Sequence, residues 1–537
     1  MAASHTPLML HELLIDRAQT FPDLSIVTFE GGGIRADERR TYGDLLANGH
    51  RLAAGLRARG MQAGDRFALL LRNHPEFIEA MVAASISGCV FVPIDPRARG
   101  DKLAFTLNHA NCKGVICADY SHGQLQELRE AGRLENPIWV LVLETNEVEP
   151  GLPAAAVTGA DPLQAILDEP VNEQAMGNGH PDQPFQIMYT SGTTGDPKGV
   201  VMSARRYVEA GNMGLLFGWD EDERPYTGLS LTHGNAQFIT LANALVWSKP
   251  CVISRKFTKS RLWDVTREYG CTTFNLLGGM TTAIYSEPER ENDADNPVRR
   301  IISSGMPAAI WENFESRFNV RLIEAYGAIE GGLAFKPIGV GPVGSFGKPP
   351  PNLEMKVVDD NGQECAPGQM GELISRPVGA PSPKVEYFKN DKASREKTEG
   401  GWLRSGDICH RDADGWLFFD YRKGGGIRHN GDFINVGFVE KTLAEHSAIT
   451  DVFVYGVPAA SKAPGEKDVV AAIVLQNKGS PDVDGIFAHC RQCLEPNFVP
   501  GYLQVVDEIP KTASEKPQER FLLEQFTPDA PNVFSGG

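Results

Sequence analysis

Apolar and polar positions follow two rhythms along the first third of the chain. Between Tyr42 and Arg59, the apolar residues Leu45, Leu46, Leu52 and Leu56 recur at helical spacing, and Pro75 to Ser87 repeats that pattern. Arg66 to Leu71 reads as a strand, as does Val90 to Pro93, which runs into a turn at Asp95 and Pro96. Strand and helix thus alternate over roughly the first 180 residues, an order that predicts a mostly parallel sheet covered by helices. The stretch from Leu143 to Pro184 is rich in Pro, Gly, Asp and Glu and is expected to form a surface connection. No short-period repeat or long low-complexity tract interrupts the chain.

That connection leads into the most informative segment. The apolar run Phe185, Ile187 and Met188 is followed by Tyr189-Thr-Ser-Gly-Thr-Thr-Gly-Asp-Pro-Lys-Gly-Val. A strand feeding a loop of this composition suits a polyphosphate. Gly192, Gly195 and Gly199 let backbone N–H groups turn toward an anion, because glycine has no Cβ to block approach. Thr190, Ser191, Thr193 and Thr194 offer hydroxyl donors, and Lys198 adds a full positive charge. A Walker A loop ends Gly-Lys-Ser/Thr, whereas here the lysine lies between Pro197 and Gly199.

Composition narrows the function classes. The 537 residues are enough for two to four domains, and 42% hydrophobic with 23% charged residues is the balance of an ordinary globular protein. A net charge of −17 opposes nucleic-acid binding, so an enzyme handling ATP needs a local basic pocket within an acidic envelope. No apolar run reaches the ~20 residues of a membrane span. The first residues carry no charged-then-apolar leader and the last no prenylation or peroxisomal address, so cytosol is the expected compartment. Nine thinly spread cysteines fit reduced thiols, and the pair Cys490 and Cys493 sits in a helical pattern without a second pair at zinc spacing.

The 189–200 segment resembles the phosphate loop of the acyl-adenylate-forming superfamily, which includes acyl-CoA synthetases, luciferases and peptide-synthetase adenylation domains. Four later segments extend the resemblance: Ser230 to Gln237, Ile301 to Pro307 with Arg321 to Glu330, Gly401 to Ile408 with Asp414 to Asp420, and Tyr421 to Ile434. The run of motifs looks closest to crotonobetaine/carnitine-type acid–CoA ligases. It implies an α/β fold: a large N-terminal domain of mostly parallel sheets with a β-rich subdomain, residues 1–420, a hinge at 421–424, and a small mobile α+β lid domain, residues 425–537.

The resemblance also implies roles. ATP would lie against Thr190, Ser191, Gly192, Thr193, Thr194, Gly195 and Lys198. The turn Ser304, Gly305, Met306 and the segment Glu324, Ala325, Tyr326, Gly327 would sandwich adenine. Asp407 would take the ribose hydroxyls, since a carboxylate accepts two hydrogen bonds at once, and Arg422 the phosphate or ribose. Glu330, with Thr190, would hold Mg²⁺, a hard cation that prefers oxygen. The acid would enter beside His233, Gly234, Asn235, Gly278, Gly279, Met280 and Gly305. His233 and Gly431 would guide the CoA arm, Gly424 would be the pivot, and Lys516 the catalytic ammonium. Small walls with the amides Asn235 and Gln237 suit a medium or bulky acid, including one with a polar group. Aside from the family, His233 also fits a buried, satisfied histidine, Asp407 a helix N-cap and the glycine run at 424–426 a plain linker; these readings stay open.

Two positions depart from the family pattern: Ile329 stands where a threonine is usual, and Glu515 where a glycine is usual. The reaction implied is ATP-dependent formation of an acyl-AMP and then a CoA thioester. A stand-alone adenylating enzyme that serves a carrier-protein thiol or an amine is a second reading, and a nucleotide-binding homologue without activity a third. A homodimer is compatible with either enzyme.

Overall fold

The helix Tyr42–Ala58 begins where the sequence pattern places it. Thr41 Oγ1 accepts the N–H of Asp44 at 3.1 Å, and the Asp44 carboxylate accepts the N–H of Thr41 at 2.8 Å, which closes a reciprocal cap. Its apolar stripe is buried at Leu45, Leu52 and Leu56. The helix Pro75–Ser87 starts with proline at its first position, where a missing N–H costs nothing. These elements belong to a computed structural model that describes residues 7–33, 35–145, 159–172, 179–190, 197–277, 279–380, 382–422, 427–429, 432–434, 436–459, 467–477, 482–494, 496–512, 515 and 517–536.

The chain divides into two compact units. The first holds residues 1–258, 264–275 and 385–394. Its seven-stranded sheet runs in the order Asp161–Pro162, Trp139–Leu143, Cys112–Ala118, Arg66–Leu70, Val90–Pro93, Pro184–Thr190, Lys198–Ser203. Every neighbour pair is parallel except the last. Alternating helices, Pro75–Ser87, Gly100–His109 and Asp119–Glu130, make the crossovers that parallel pairing requires. Val90, Val92, Val115, Val140, Val142 and Ile187 fill one continuous core of this layer. A second sheet in the same unit pairs Ser25–Phe29, Cys251–Ile253, Pro225–Thr227 and the start of Thr273–Leu277 in parallel, with Glu38–Thr41 antiparallel at its edge.

The second unit holds residues 259–263, 276–384 and 395–537. Arg300–Ser304 pairs in parallel with Arg321–Ala328, which turns back antiparallel into Gly331–Lys336. A four-stranded antiparallel sheet follows: Leu353–Val358, Gly371–Pro377, Leu403–Arg411 and Leu417–Arg422. The C-terminal part is a four-stranded mixed sheet of Ile449–Pro458, Lys467–Leu475, Tyr502–Val505 and Val533–Ser535 with helices Val436–Ala444 and Val483–Cys493. It has its own core of Val439, Leu443, Val469, Ile473, Ile486 and Leu503. The α/β class, with large parallel layers, a β-rich part and a small α+β C-terminal part, is therefore observed.

Three local expectations need correction. The 143–184 stretch is more than a surface connection, because Asp161–Pro162 adds an edge strand and Gln164–Leu167 forms a helical turn. Asp407 lies inside the strand Leu403–Arg411, so it caps no helix. Gly199 lies in a strand rather than in a loop; it is paired with Tyr189 inside the Pro184–Thr190/Lys198–Ser203 ladder. A Cβ there would lie 2.6 Å from Ile187 Cγ2, so close packing explains this glycine. Among the described residues, no helix is long and apolar enough to cross a membrane.

Candidate active site

In the second unit, one strand stops beside a parallel neighbour that runs on, and the two are tied together at that point. Arg300–Ser304 stops at Gly305, whose φ of 98° falls in a region that a side chain strains to reach. The resulting turn is pinned from the neighbouring strand. Gly305 and Met306 both donate their N–H groups to Glu324 Oε1, the latter at 3.2 Å, and Ser304 Oγ donates to the Ala325 carbonyl at 2.7 Å. Glu324 is buried. Burial pushes its carboxyl up to about 7, against the pull of the two backbone donors. Its side chain anchors the turn from below.

Two residues further along that strand, the Tyr326 ring stacks on Phe346 with centroids 4.8 Å apart. Its hydroxyl donates to Asp407 Oδ2 at 2.5 Å, and burial, then the Asp407 charge, holds the phenol well above its ordinary pKa. Asp407 reaches this position through a bulge. Pairing with the adjacent strand jumps from Ile374↔Arg404 to Glu372↔Ile408, which lifts Ser405 to Asp407 out of the ladder. Ser405 Oγ then accepts the Asp407 N–H at 2.9 Å. Across the next pair of strands, Arg422 sits in register with Asp407, and its Nε stands 3.8 Å from Asp407 Oδ1. The carboxylate is thus buried yet offers one oxygen toward an exposed guanidinium, a suitable mount for a pair of hydroxyls.

Glu330 follows in the turn between Arg321–Ala328 and Gly331–Lys336. It lines a cleft together with Tyr326, Ala328, Ser375, Lys397 and Ser405. Lys397 closes the helix Asp391–Lys397 and donates through Nζ to the Ser405 carbonyl at 3.1 Å. Burial lowers the ammonium pKa; Glu330 is the strongest of the charges that oppose this, ahead of Asp407 and Glu372. Among the described residues, no group of three or more His, Cys, Asp or Glu is arranged to hold a metal ion. A single carboxylate fits Mg²⁺ all the same, because that ion is commonly bound by one or two carboxylates plus substrate phosphates.

The first unit carries the other half of the expected residues. Thr190 pairs with Lys198 across the last rungs of an antiparallel hairpin, and Thr190 Oγ1 donates to the Lys198 carbonyl at 3.4 Å. Lys198 Nζ lies 5.5 Å from the Tyr387 ring centroid. His233 is half-buried in a turn, with its N–H bonded to the Ser230 carbonyl at 2.9 Å. Its Nδ1 accepts the Asn235 N–H at 3.2 Å, which leaves the proton of the neutral ring on Nε2. Gly234 then opens a π-helix, Asn235–Ala242. Asn243 explains that rare geometry: its Nδ2 bonds the carbonyls of Phe238 at 2.6 Å and Ile239 at 3.2 Å, competing with the ordinary helical ladder. Asn235 is held in turn by Asn275 Nδ2 at 3.0 Å.

Of the expected site residues, the structure brings Ser304, Gly305 and Met306 together with Glu324 and Ala325, and Tyr326 together with Asp407 and Arg422. Gly327 is exposed beyond Tyr326, and Gly279 and Met280 begin the helix Gly279–Tyr285, with Met280 buried. Ser191, Gly192, Thr193, Thr194, Gly195, Gly278, Gly424, Gly431 and Lys516 lie outside the described residues. Near the last of these, Glu515 adopts a φ of 59°, in the left-handed region where the family's glycine is unstrained. Sequence reasoning missed Lys397 and Ser405. Lys397 sits in the charged run Asp391-Lys-Ala-Ser-Arg-Glu-Lys, which reads as a solvated helix, and no motif marks it.

Comparison with known proteins places this geometry. Residues 14–380 match the AMP-binding enzyme family and residues 439–516 the AMP-binding enzyme C-terminal domain. The medium/long-chain-fatty-acid–CoA ligase FadD17 of Mycobacterium marinum is 30% identical over 511 residues, covering 94% of this chain and 95% of its own length. The crotonobetaine/carnitine–CoA ligase of Salmonella arizonae is 24% identical over 94% of this chain and 97% of its own. The crystal structure of the anthranilate CoA ligase AuaEII with anthranoyl-AMP shares the fold at a TM-score of 0.80 and 22% identity, covering 98% of both chains. With both portions matched, the chain belongs to the AMP-binding enzyme family and is an enzyme of the acyl-adenylate-forming superfamily.

Proposed function

We propose that this protein is an AMP-forming acid–CoA ligase that acts through an acyl-adenylate. The observation that carries the reading is the joined set of Tyr326, Asp407, Arg422 and Glu330 around the exits of neighbouring strands, in a chain similar over nearly its whole length to proteins named as acid–CoA ligases. The Ser304–Met306 turn receives the base, with Glu324 holding its backbone in place. The Asp407 carboxylate takes the ribose hydroxyls, and Tyr326 keeps it oriented. The segment 190–198, Lys198 included, receives the phosphates.

Glu330 would hold Mg²⁺, which supplies charge neutralisation on the phosphate oxygens when bound. A carboxylate oxygen of the acid attacks the α-phosphorus, and the bond to pyrophosphate breaks with its electron pair on the leaving group. Lys516, carried by the C-terminal part, offsets the charge on the acid and the α-phosphate as they meet. Rotation about Gly424 then withdraws Lys516 and brings Gly431 beside the pantetheine arm. The CoA thiolate attacks the acyl carbon next to His233 and AMP departs. Phosphoryl and acyl transfer of this kind rest on positioning and charge stabilisation.

The acid is of medium length or bulky. Small residues at Gly234 and Gly279 leave room for bulk, and Asn235 accommodates a polar substituent. A panel of acids with ATP, Mg²⁺ and CoA tests both parts. AMP, pyrophosphate and thioester in equal amounts are expected, fastest with a medium-chain, branched or alicyclic acid. Acetate turning over faster than every larger acid contradicts the substrate reading, and AMP formation indifferent to CoA favours a carrier protein or amine acceptor.

A further inference from the structure

We propose that Lys397 is a phosphate-binding residue of the adenylation step, acting beside Glu330. The inference rests on the adenylation reading above. Lys397 lines the same cleft as Glu330 and is the cation among the described side chains that line it. The other nearby basic groups are committed. Arg404 is bound to Glu372 Oε2 through Nε at 3.2 Å and through an amino nitrogen at 2.6 Å, and Arg422 is exposed beside Asp407.

An ammonium carries three N–H donors, and among the described residues Lys397 uses one, on the Ser405 carbonyl. That single bond leaves two donors available to a ligand in the cleft. Glu330, Asp407 and Glu372 favour its charged form, against burial and the Arg422 charge. Glu330 would be engaged by the magnesium that accompanies ATP, which would leave the Lys397 charge to the nucleotide's phosphate oxygens. During attack by the acid, charge gathers on the non-bridging oxygens as the bond to pyrophosphate breaks. Lys397 neutralises it there, and no proton changes hands.

The test compares wild type, Lys397→Gln and Lys397→Arg. Glutamine keeps a donor for Ser405 while removing the charge. Two readouts are used: calorimetric binding of Mg-ATP, and decanoate-dependent exchange of labelled pyrophosphate into ATP. Loss of one charge-assisted hydrogen bond predicts a fall of about 10- to 100-fold in exchange for Lys397→Gln, carried by the ATP KM and kcat rather than the decanoate KM. Lys397→Arg is expected to stay within about fivefold of wild type, because it keeps the charge. A lysine that only supports the fold would leave Mg-ATP binding and the ATP KM of the folded protein unchanged. Wild-type exchange and binding in Lys397→Gln overturns the proposal, and so does a loss of exchange with Mg-ATP binding and the ATP KM unmoved. A wild-type protein without exchange for any acid contradicts the adenylation reading instead, so the two failures are separable.

Discussion

Glu324 is buried beneath the turn after Ser304, and its carboxylate accepts the N–H groups of Gly305 and Met306. Its folded-state pKa is raised by burial from 4.5 to about 7. The stabilising contribution of this carboxyl is therefore complete below its unfolded pKa and is lost as pH rises through about 7. Replacing Glu324 with Gln keeps the acceptor and removes the charge. The variant is expected to unfold at a higher urea concentration than wild type at pH 8, by an upper bound on the order of 3 kcal/mol, and to show little difference at pH 5. An equal effect at both pH values contradicts the assignment. Residues of this kind were half legible in the sequence. Glu324, Tyr326, Asp407 and Glu330 fall on motif positions, but their partners do not. Nothing in the spacing shows that Tyr326 spends its hydroxyl on Asp407, or that Lys397 faces Glu330, because those contacts join segments distant in sequence.

Elements were more legible than contacts. Sequence pattern placed Tyr42–Ala58, Arg66–Leu70, Pro75–Ser87 and Val90–Pro93 within a residue or so: the first buries a regular stripe, and the others are apolar runs buried nearly throughout. The failures came where pairing overrides local pattern. Asp161–Pro162 joins a sheet edge from a polar, Pro-rich stretch, and Asp407 sits in a bulged strand where a helix cap was one reading. Gly199 is a third case, since its composition matches an anion loop while its position is a strand. Gly199→Ala is expected to destabilise the protein by about 1–3 kcal/mol, as the added methyl presses on Ile187. Equilibrium denaturation measures the change, and exchange activity per folded molecule is expected to persist. Unchanged stability with lost nucleotide binding would instead return Gly199 to the phosphate loop.

At the scale of the whole molecule, the proposed mechanism has one active site serve two half-reactions by exchanging the group that the C-terminal part presents. Residue roles therefore separate by half-reaction. Lys516→Ala is expected to slow acyl-adenylate formation by about 100-fold or more, in line with removal of a preorganised charge. The same variant, given preformed acyl-adenylate and CoA, is expected to make thioester within about threefold of the wild-type rate. Stopped-flow assays of each half-reaction decide the point, and equal loss in both contradicts a role confined to adenylation. The acidic surface, with a net charge of −17, also predicts that nucleotide recruitment depends on the local cations Lys198, Lys397 and Arg422.

The central claim is that an acyl-adenylate forms, and oxygen tracing tests it most directly. Decanoate carrying ¹⁸O in both carboxyl oxygens is turned over with ATP, Mg²⁺ and CoA, and the products are weighed by mass spectrometry. Attack of the carboxylate on the α-phosphorus, followed by thiol attack on the acyl carbon, leaves one labelled oxygen in AMP and none in pyrophosphate. Label appearing in inorganic phosphate, with ADP as the nucleotide product, or unlabelled AMP alongside decanoyl-CoA, would contradict it.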